Sequence, residues 1–381
     1  MDRVVIVGAS LAGWSLARTL RSSGWEGSLV VVGDEPHRPY DRPPLSKAYL
    51  NGSLDEAGIS LIAAGEGEDV EFVLGSAAVG LTERTVMLAS GASLTGDAVV
   101  IATGTAPRTL PSAAGLSGVH TLRTRDDADA LRAAFKPGAR LVVIGAGFIG
   151  AEVASTASRM GADVTVVDAV DEPMGQVFGS SMAAVVTGLH GQHGVPLLTG
   201  VTVAGFTATD GRVTGVELGD GRVFPADVVV VGIGVRPVTS WLDGSGVKLD
   251  NGVVVDAAGR TNLPGVWACG DVARYPSVRG GGQIRVEHWT HAREHGAAVA
   301  RGLLGSPETY DPVPYVWSEQ YGVMVQFAGF VRPGDEVEVV EGDPAEHRFV
   351  ATYRREDKLV AVLGVRIPRI FMKFRRELVT G

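Results

Sequence analysis

The sequence predicts an α/β protein. It reads as two interleaved Rossmann-like dinucleotide-binding domains followed by a small α+β C-terminal domain. Three observations carry this. An apolar run enters a glycine turn and a small-residue helix start twice, as "VVIVGASLAG" at 4–13 and "LVVIGAGFIG" at 141–150. Each is followed by a helix-like stretch and a second apolar strand that ends in an acid. From Tyr310 the pattern changes: "YDPVPYVW" brings prolines, then alternating strands such as "HRFVATYRR" and "KLVAVLGV".

The second copy is a full fingerprint, Gly145-x-Gly147-x-x-Gly150, directly after a strand. Gly145 makes the tight turn, Gly147 lets the backbone approach a pyrophosphate, and Gly150 lets helix and strand pack closely. The helix start then offers free N–H groups and a positive dipole to phosphates. "AEVASTASRMGA" is the helix, and "DVTVVD" is a strand ending in Asp168, an acid at the spacing that serves a ribose hydroxyl. In the first copy, Gly8, Ala12 and Gly13 keep the pattern, "GWSLARTLRSSGW" is the helix, and Asp34 or Glu35 follows the strand "SLVVVG". Ser10 stands where the middle glycine is expected. Its hydroxyl can donate to a phosphate oxygen. The rival reading makes Ser10 the nucleophile of a serine hydrolase, on a G-x-S-x-G elbow. Here the run is Gly8-Ala9-Ser10-Leu11-Ala12, without the closing glycine, and it comes at residue 10 rather than after several strands. The substituted dinucleotide loop is the stronger reading.

The totals fit this. A chain of 381 residues, 45% hydrophobic, has room for two or three domains with sizeable cores. No apolar run approaches the roughly 20 residues of a membrane helix. The net charge of −9 disfavours nucleic acid as a partner. The single cysteine, Cys269, excludes an intrachain disulfide and a dithiol pair, and fits a cytoplasmic location. One local exception is basic: Arg366, Arg369, Lys373, Arg375 and Arg376 near the C-terminus face one acid, Glu377. This is a docking face for an acidic partner or simply a solvated helix face.

Two dinucleotide loops in one chain suggest a tightly held flavin and an exchangeable nicotinamide. Further strand ends agree: "DAVVIATG" ends in Ala102-Thr103-Gly104, "ADVVVVGIG" in Gly232 and Gly234, and "TNLPGVWACGD" in Gly270-Asp271. "TAPRTLP" and "GVRPVT" read as crossings between domains. The expected domains are 1–108 with 236–308 for FAD, 109–235 for the nicotinamide, and 309–381 at the C-terminus. With "YDRPPLSKAYL", "HTLRTRDDADAL", "GAGFIGAEVAS", "VEHWTHAREHG" and "VPYVWSEQYG" added, the chain resembles, over nearly its whole length, the FAD-dependent ferredoxin reductases of oxygenase systems, in the pyridine nucleotide–disulfide reductase superfamily.

The resemblance implies roles position by position. Asp271 matches the aspartate that holds the ribityl chain of FAD, Arg123 an arginine at the flavin cofactor, and Val79 a position whose backbone meets the adenine side. Arg42 and Pro44 belong to the cofactor segment that leads to Lys47. Lys47 and Glu152 match a pair beside the reactive flavin nitrogen, where a cation stabilises negative charge and the glutamate holds it in place. His288 and Trp289 match flavin contacts, Ile149 lies in the nicotinamide loop, and Glu287 and Trp317 match positions on the nicotinamide side. Asp168, followed by Asp171 and Glu172, disfavours a 2′-phosphate, so NADH is expected over NADPH. Relatives that use a cysteine carry it in the segment that here reads "RPPLSK". Cys269 is expected to be structural, so the electrons need an external acceptor, and the resemblance implies a small acidic iron–sulfur ferredoxin. The alternative within this fold is an NADH-binding flavoprotein with a signalling role. His291 and His295, four apart on an expected helix, lack a third ligand, and a metal site is not favoured.

Overall fold

The computed structural model describes residues 1–380 and divides them into two compact units. The first comprises residues 1–41, 57–106 and 236–314; the second comprises 42–56, 107–235 and, of the described residues, 315–380.

The first unit is built on a five-stranded parallel sheet in the order Val266–Ala268, Ala98–Ile101, Arg3–Val7, Ser28–Val32, Glu71–Val73. Its three inner strands, Ala98–Ile101, Arg3–Val7 and Ser28–Val32, are Val/Ile-rich and buried along nearly their whole length, as strands covered on both faces must be. The helices Leu11–Ser22 and Trp289–Leu303 pack together, with Ile6, Leu16, Leu20, Val100 and Val299 in one core layer. They come close because Gly296 has no side chain: a Cβ there would lie 2.3 Å from the Ala12 carbonyl oxygen. An antiparallel meander, Ala78–Thr82, Thr85–Leu88 and Ser93–Thr95, contributes Leu81, Val86 and Leu88 to a second core layer with Val5, Val99 and Ile101.

The second unit repeats the plan. Its parallel sheet runs Leu197–Leu198, Asp163–Val167, Arg140–Ile144, Val228–Val231, Val119–His120. The helix Phe148–Arg159 follows the strand that ends at Ile144. The chain ends in a five-stranded antiparallel sheet, ordered Tyr315–Gln320, Val323–Gly329, Lys358–Val365, Arg348–Arg355, Glu336–Asp343. The helix Pro368–Thr380 lies on it with Phe371 fully buried. This is the expected α/β architecture with a C-terminal α+β domain. Residues 42–56 cluster with the second unit because their side chains find partners there: Tyr49 Oη donates to Asp129 (3.1 Å), and Leu50 is buried in that unit's core.

The first unit also buries imidazoles. His291 stacks on Tyr275 and His295 on Tyr310, and all four rings lie within one cage. Burial pushes His288 down to about 4 and His295 down to about 3, and lowers His291 well below 6.5. The folded protein therefore binds fewer protons than the unfolded chain. The stabilisation from burying these rings neutral is complete above pH 6.5 and is lost as pH falls toward the folded values. Each ring costs up to about 1.4 kcal/mol per pH unit in that window. Urea unfolding followed by fluorescence at pH 7.5, 6 and 5 should give a midpoint that drops steadily with acid. Replacing His295 by Asn should make the drop shallower. A midpoint that is flat from pH 7.5 to 5 would contradict the burial of neutral rings.

Candidate functional site

The two loops share one geometry. Helix Leu11–Ser22 is capped by Ser10 at φ −131° and ψ −165°, and helix Phe148–Arg159 by Gly147 at φ −71° and ψ −176°. Both caps are extended backbone, which any residue adopts. A Cβ on Gly147 would meet nothing within 4 Å. This position therefore demands no glycine for its own backbone, and serine stands in the equivalent place without strain. The closing glycines differ from it: a Cβ on Gly13 would lie 2.1 Å from the Gly8 oxygen, and one on Gly150 1.9 Å from the Gly145 oxygen. Ser10 is thus not on the strained turn that a nucleophile elbow requires, and the hydrolase reading is set aside.

The carboxyl ends of both parallel sheets gather the expected residues, where open α/β sheets bind ligands. In the first unit these are Gly8, Ser10, Ala12, Gly13, Asp34, Glu35, Ala102, Thr103 and Gly104. Glu35 is half-buried and accepts a hydrogen bond from Tyr40 Oη (2.5 Å), whereas Asp34 is exposed. Gly270 and Asp271 form a short 3-10 turn after the strand Val266–Ala268. Two residues not foreseen from the sequence hold that turn. His295 Nδ1 accepts from the Gly270 N–H (3.3 Å), and Arg285 Nη1 donates to the Asp271 carbonyl (3.2 Å) while pairing with Glu287 Oε1 (2.5 Å). His288 caps the helix that begins at Trp289, and its Nδ1 is buried without a partner among the described residues. Trp289 Nε1 donates to Asp41 (2.6 Å). Val79 is exposed on its strand. Cys269 is fully buried, and burial pushes its thiol up to about 12, away from thiolate chemistry.

In the second unit, Asp168 is held at the loop: one carboxylate oxygen accepts from the Ala146 N–H (2.7 Å) and the other from the Val170 N–H (3.0 Å). Asp171 and Glu172 are exposed just beyond it, Ile149 is exposed at the helix start, and Gly232 and Gly234 follow the adjacent strand. Arg42 Nη1 donates to the Arg123 carbonyl (2.5 Å), and Pro44 lies in the 3-10 turn Pro43–Ser46 that precedes Lys47.

Lys47 and Glu152 meet as an ion pair at 2.5 Å, with Glu152 only 4% exposed. The face of helix Phe148–Arg159 that carries Glu152 also carries Ser155 and Thr156, at the i, i+3, i+4 spacing of a shared face. Every one of these is partnered. Glu152 accepts from Ser46 Oγ (2.5 Å) and Ser318 Oγ (2.6 Å), Ser155 Oγ accepts from the Tyr321 N–H (2.6 Å), and Thr156 Oγ1 donates to the Ser46 carbonyl (2.8 Å). Strand alternation then separates two sets of side chains on Tyr315–Gln320. Ser318 and Gln320 are buried, while Tyr315 and Trp317 share the other face with their rings stacked at 5.8 Å. Ser46 and Ser318 were not foreseen; the polar i, i+3, i+4 stripe in an otherwise small and apolar helix was the available signal.

The C-terminal cations are not equivalent. Arg366, Arg369, Lys373 and Arg376 are exposed. Arg375 is half-buried, with its guanidinium 4.3 Å from the centre of the Tyr315 ring. No helix among the described residues is long and apolar enough to cross a membrane.

The pyridine nucleotide-disulphide oxidoreductase family matches residues 2–296, and the reductase C-terminal family matches 315–381. The chain is 39% identical to rhodocoxin reductase of Rhodococcus erythropolis, over 99% of this chain and 89% of that protein. It is 39% identical to the ferredoxin reductase component of chlorobenzene dioxygenase from Cupriavidus sp. (strain PS12), over 97% and 90%. Among solved structures, it matches a chain of the covalent putidaredoxin reductase–putidaredoxin complex with a TM-score of 0.95 at 34% identity, covering 100% of this chain and 93% of that one. The ferredoxin reductase for the CYP199A2 system from Rhodopseudomonas palustris matches at 0.94 and 34%, covering 100% and 96%. The chain is an oxidoreductase of the pyridine nucleotide-disulphide oxidoreductase family and belongs to its ferredoxin-reductase branch.

Proposed function

We propose that this chain carries electrons from NADH through FAD to a small acidic iron–sulfur ferredoxin that feeds an oxygenase in the cytoplasm. One observation carries the reading. The chain holds two dinucleotide loops of matching geometry, yet its single cysteine is buried and held as a thiol, so electrons that enter must leave to an external acceptor. The names of the relatives support that acceptor: one is a ferredoxin reductase component of a dioxygenase, and a solved match is a reductase joined to its redoxin.

The residues suit both cofactors. Residues 1–108 with 236–308 would bind FAD, and 109–235 NADH. Each loop sets a helix N-terminus and its N–H groups before a pyrophosphate. Glu35 would take the adenosine ribose of FAD, and Asp168, already oriented by two backbone N–H groups, that of NADH. Asp271 would accept from the ribityl hydroxyls on a turn fixed by His295 and Arg285. When bound, the nicotinamide supplies a hydride and the flavin turns that electron pair into single electrons. Hydride transfer needs no general base. Lys47, fixed by Glu152, would place a positive charge beside the flavin, Glu287 and Trp317 would orient the nicotinamide, and Arg366, Arg369, Lys373 and Arg376 would meet the partner's carboxylates.

NADH should drive stoichiometric reduction of an acidic two-iron ferredoxin, followed by loss of the oxidised ferredoxin's visible absorption. Long-lived NADH complexes with slow transfer to every ferredoxin tried would favour the signalling role instead. Steady-state kinetics with NADH and NADPH test the acidic loop. The wild-type chain should favour NADH, and Asp171→Arg with Glu172→Arg should narrow the ratio of kcat/KM values by about tenfold or more, since a like charge is exchanged for an opposite one. Unchanged preference would remove these acids from the specificity. The docking face is tested by Arg369→Glu with Arg376→Glu, which leaves the packed Arg375 intact. Apparent KM for the ferredoxin should rise about tenfold at low salt and converge with wild type at high salt. Equal KM at low salt would place the docking elsewhere.

A further inference from the structure

The hydrogen bonds around Glu152 all run one way. Lys47 Nζ has three donors and three acceptors near it: Glu152 Oε2 (2.5 Å), the Pro43 carbonyl (3.0 Å) and Ser46 Oγ (3.2 Å). Ser46 Oγ donates to Glu152 Oε2 (2.5 Å), the nearer and charged acceptor, rather than to the Pro43 carbonyl (3.3 Å). On the other side, Gln320 Nε2 donates to Ser318 Oγ (3.3 Å), which passes its proton to Glu152 Oε1 (2.6 Å). A hydroxyl has one proton to give, and each serine, receiving from a group that only donates, gives its proton to the carboxylate. Gln320 and Ser318 are buried at 1% and 0% exposure, out of contact with bulk water.

Lys47 alone could hold Glu152, so the second arm from the C-terminal domain needs a reason. A carboxylate's negative charge cancels the field of the ammonium beside it. The cancellation is less complete when further donors draw that charge away from the ammonium. Ser318 draws on Oε1, the oxygen that Lys47 does not use. We propose that Ser318 is a positioning residue that acts through Glu152: by dispersing its charge it leaves Lys47 with a larger net positive field, and so sets how readily the flavin gains negative charge on reduction. This rests on the reading that Lys47 lies beside the flavin. It gives the strand that carries Trp317 a second task, tuning the potential from its buried face while Trp317 occupies the other.

Spectroelectrochemical titration of the flavin-loaded protein tests this without turnover. Ser318→Ala leaves Oε1 buried with no hydroxyl donor, so the carboxylate falls back on Lys47. The reduced-to-oxidised ratio at a fixed potential should fall by about tenfold, which for a two-electron couple is about 30 mV. Ser318→Thr keeps the hydroxyl and should restore the wild-type value within about twofold, while Ser318→Val, equal in shape to threonine, should not. Gln320→Leu, which removes the donor behind Ser318, should shift the potential in the same direction by less. Flavin content and melting temperature identify variants that merely misfold, and the Thr–Val comparison stands if alanine does. Equal potentials for wild type, Ser318→Val and Gln320→Leu, each with flavin bound, would overturn the role. A wild-type protein that takes up no flavin would instead overturn the function on which it rests.

Discussion

One buried carboxylate organises the second unit. Taking Glu152 out of water costs several kcal/mol unless donors replace its hydration. Here they come from two segments far apart in the chain, Ser46 with Lys47 and Ser318. The same helix face spends Ser155 and Thr156 on those two segments. This accounts for two features of the fold. The 42–56 segment departs from its chain neighbours to join the second unit, and the C-terminal sheet is fastened by its first strand and the following turn at Tyr321. A requirement of elementary electrostatics thereby brings Lys47, Ser46 and Ser318 together around one carboxylate.

The loop at the start of each sheet meets a constraint of close approach. Gly13 and Gly150 are required because a Cβ at either would collide with the loop carbonyl, whereas Ser10 and Gly147 both take extended backbone and a Cβ on Gly147 would meet nothing within 4 Å. The two copies of the loop therefore differ only where the geometry permits it. The turn that presents Asp271 is held by a neutral imidazole and a guanidinium, and the imidazole stays neutral because the ring cage around it is apolar and buried.

Local spacing made much of this legible. The loops, the helices after them, the strands to Asp168 and the C-terminal strands could all be read, because each depends on residues within about 30 positions of one another. The Lys47–Glu152 pair came through the family resemblance, and the structure brings the two side chains into contact. What stayed hidden depends on distant partners. Ser46 lies 106 positions from Glu152 and Ser318 lies 166 from it, and nothing about an isolated serine announces a buried carboxylate. Arg375 read as one of five surface cations, but the ring of Tyr315, which occupies it, is placed by the C-terminal sheet and its helix. Likewise His291 and His295 stood out by their spacing, and only the fold supplies Tyr275 and Tyr310 to stack on them.

The central claim is that two dinucleotides exchange electrons within one chain. An anaerobic visible-absorption titration of the purified protein with NADH measures this most directly. The account predicts a yellow protein whose flavin absorption bleaches with one equivalent of NADH per bound flavin, without any ferredoxin present. A protein that remains colourless after incubation with FAD, or a yellow one that NADH does not bleach, would contradict it.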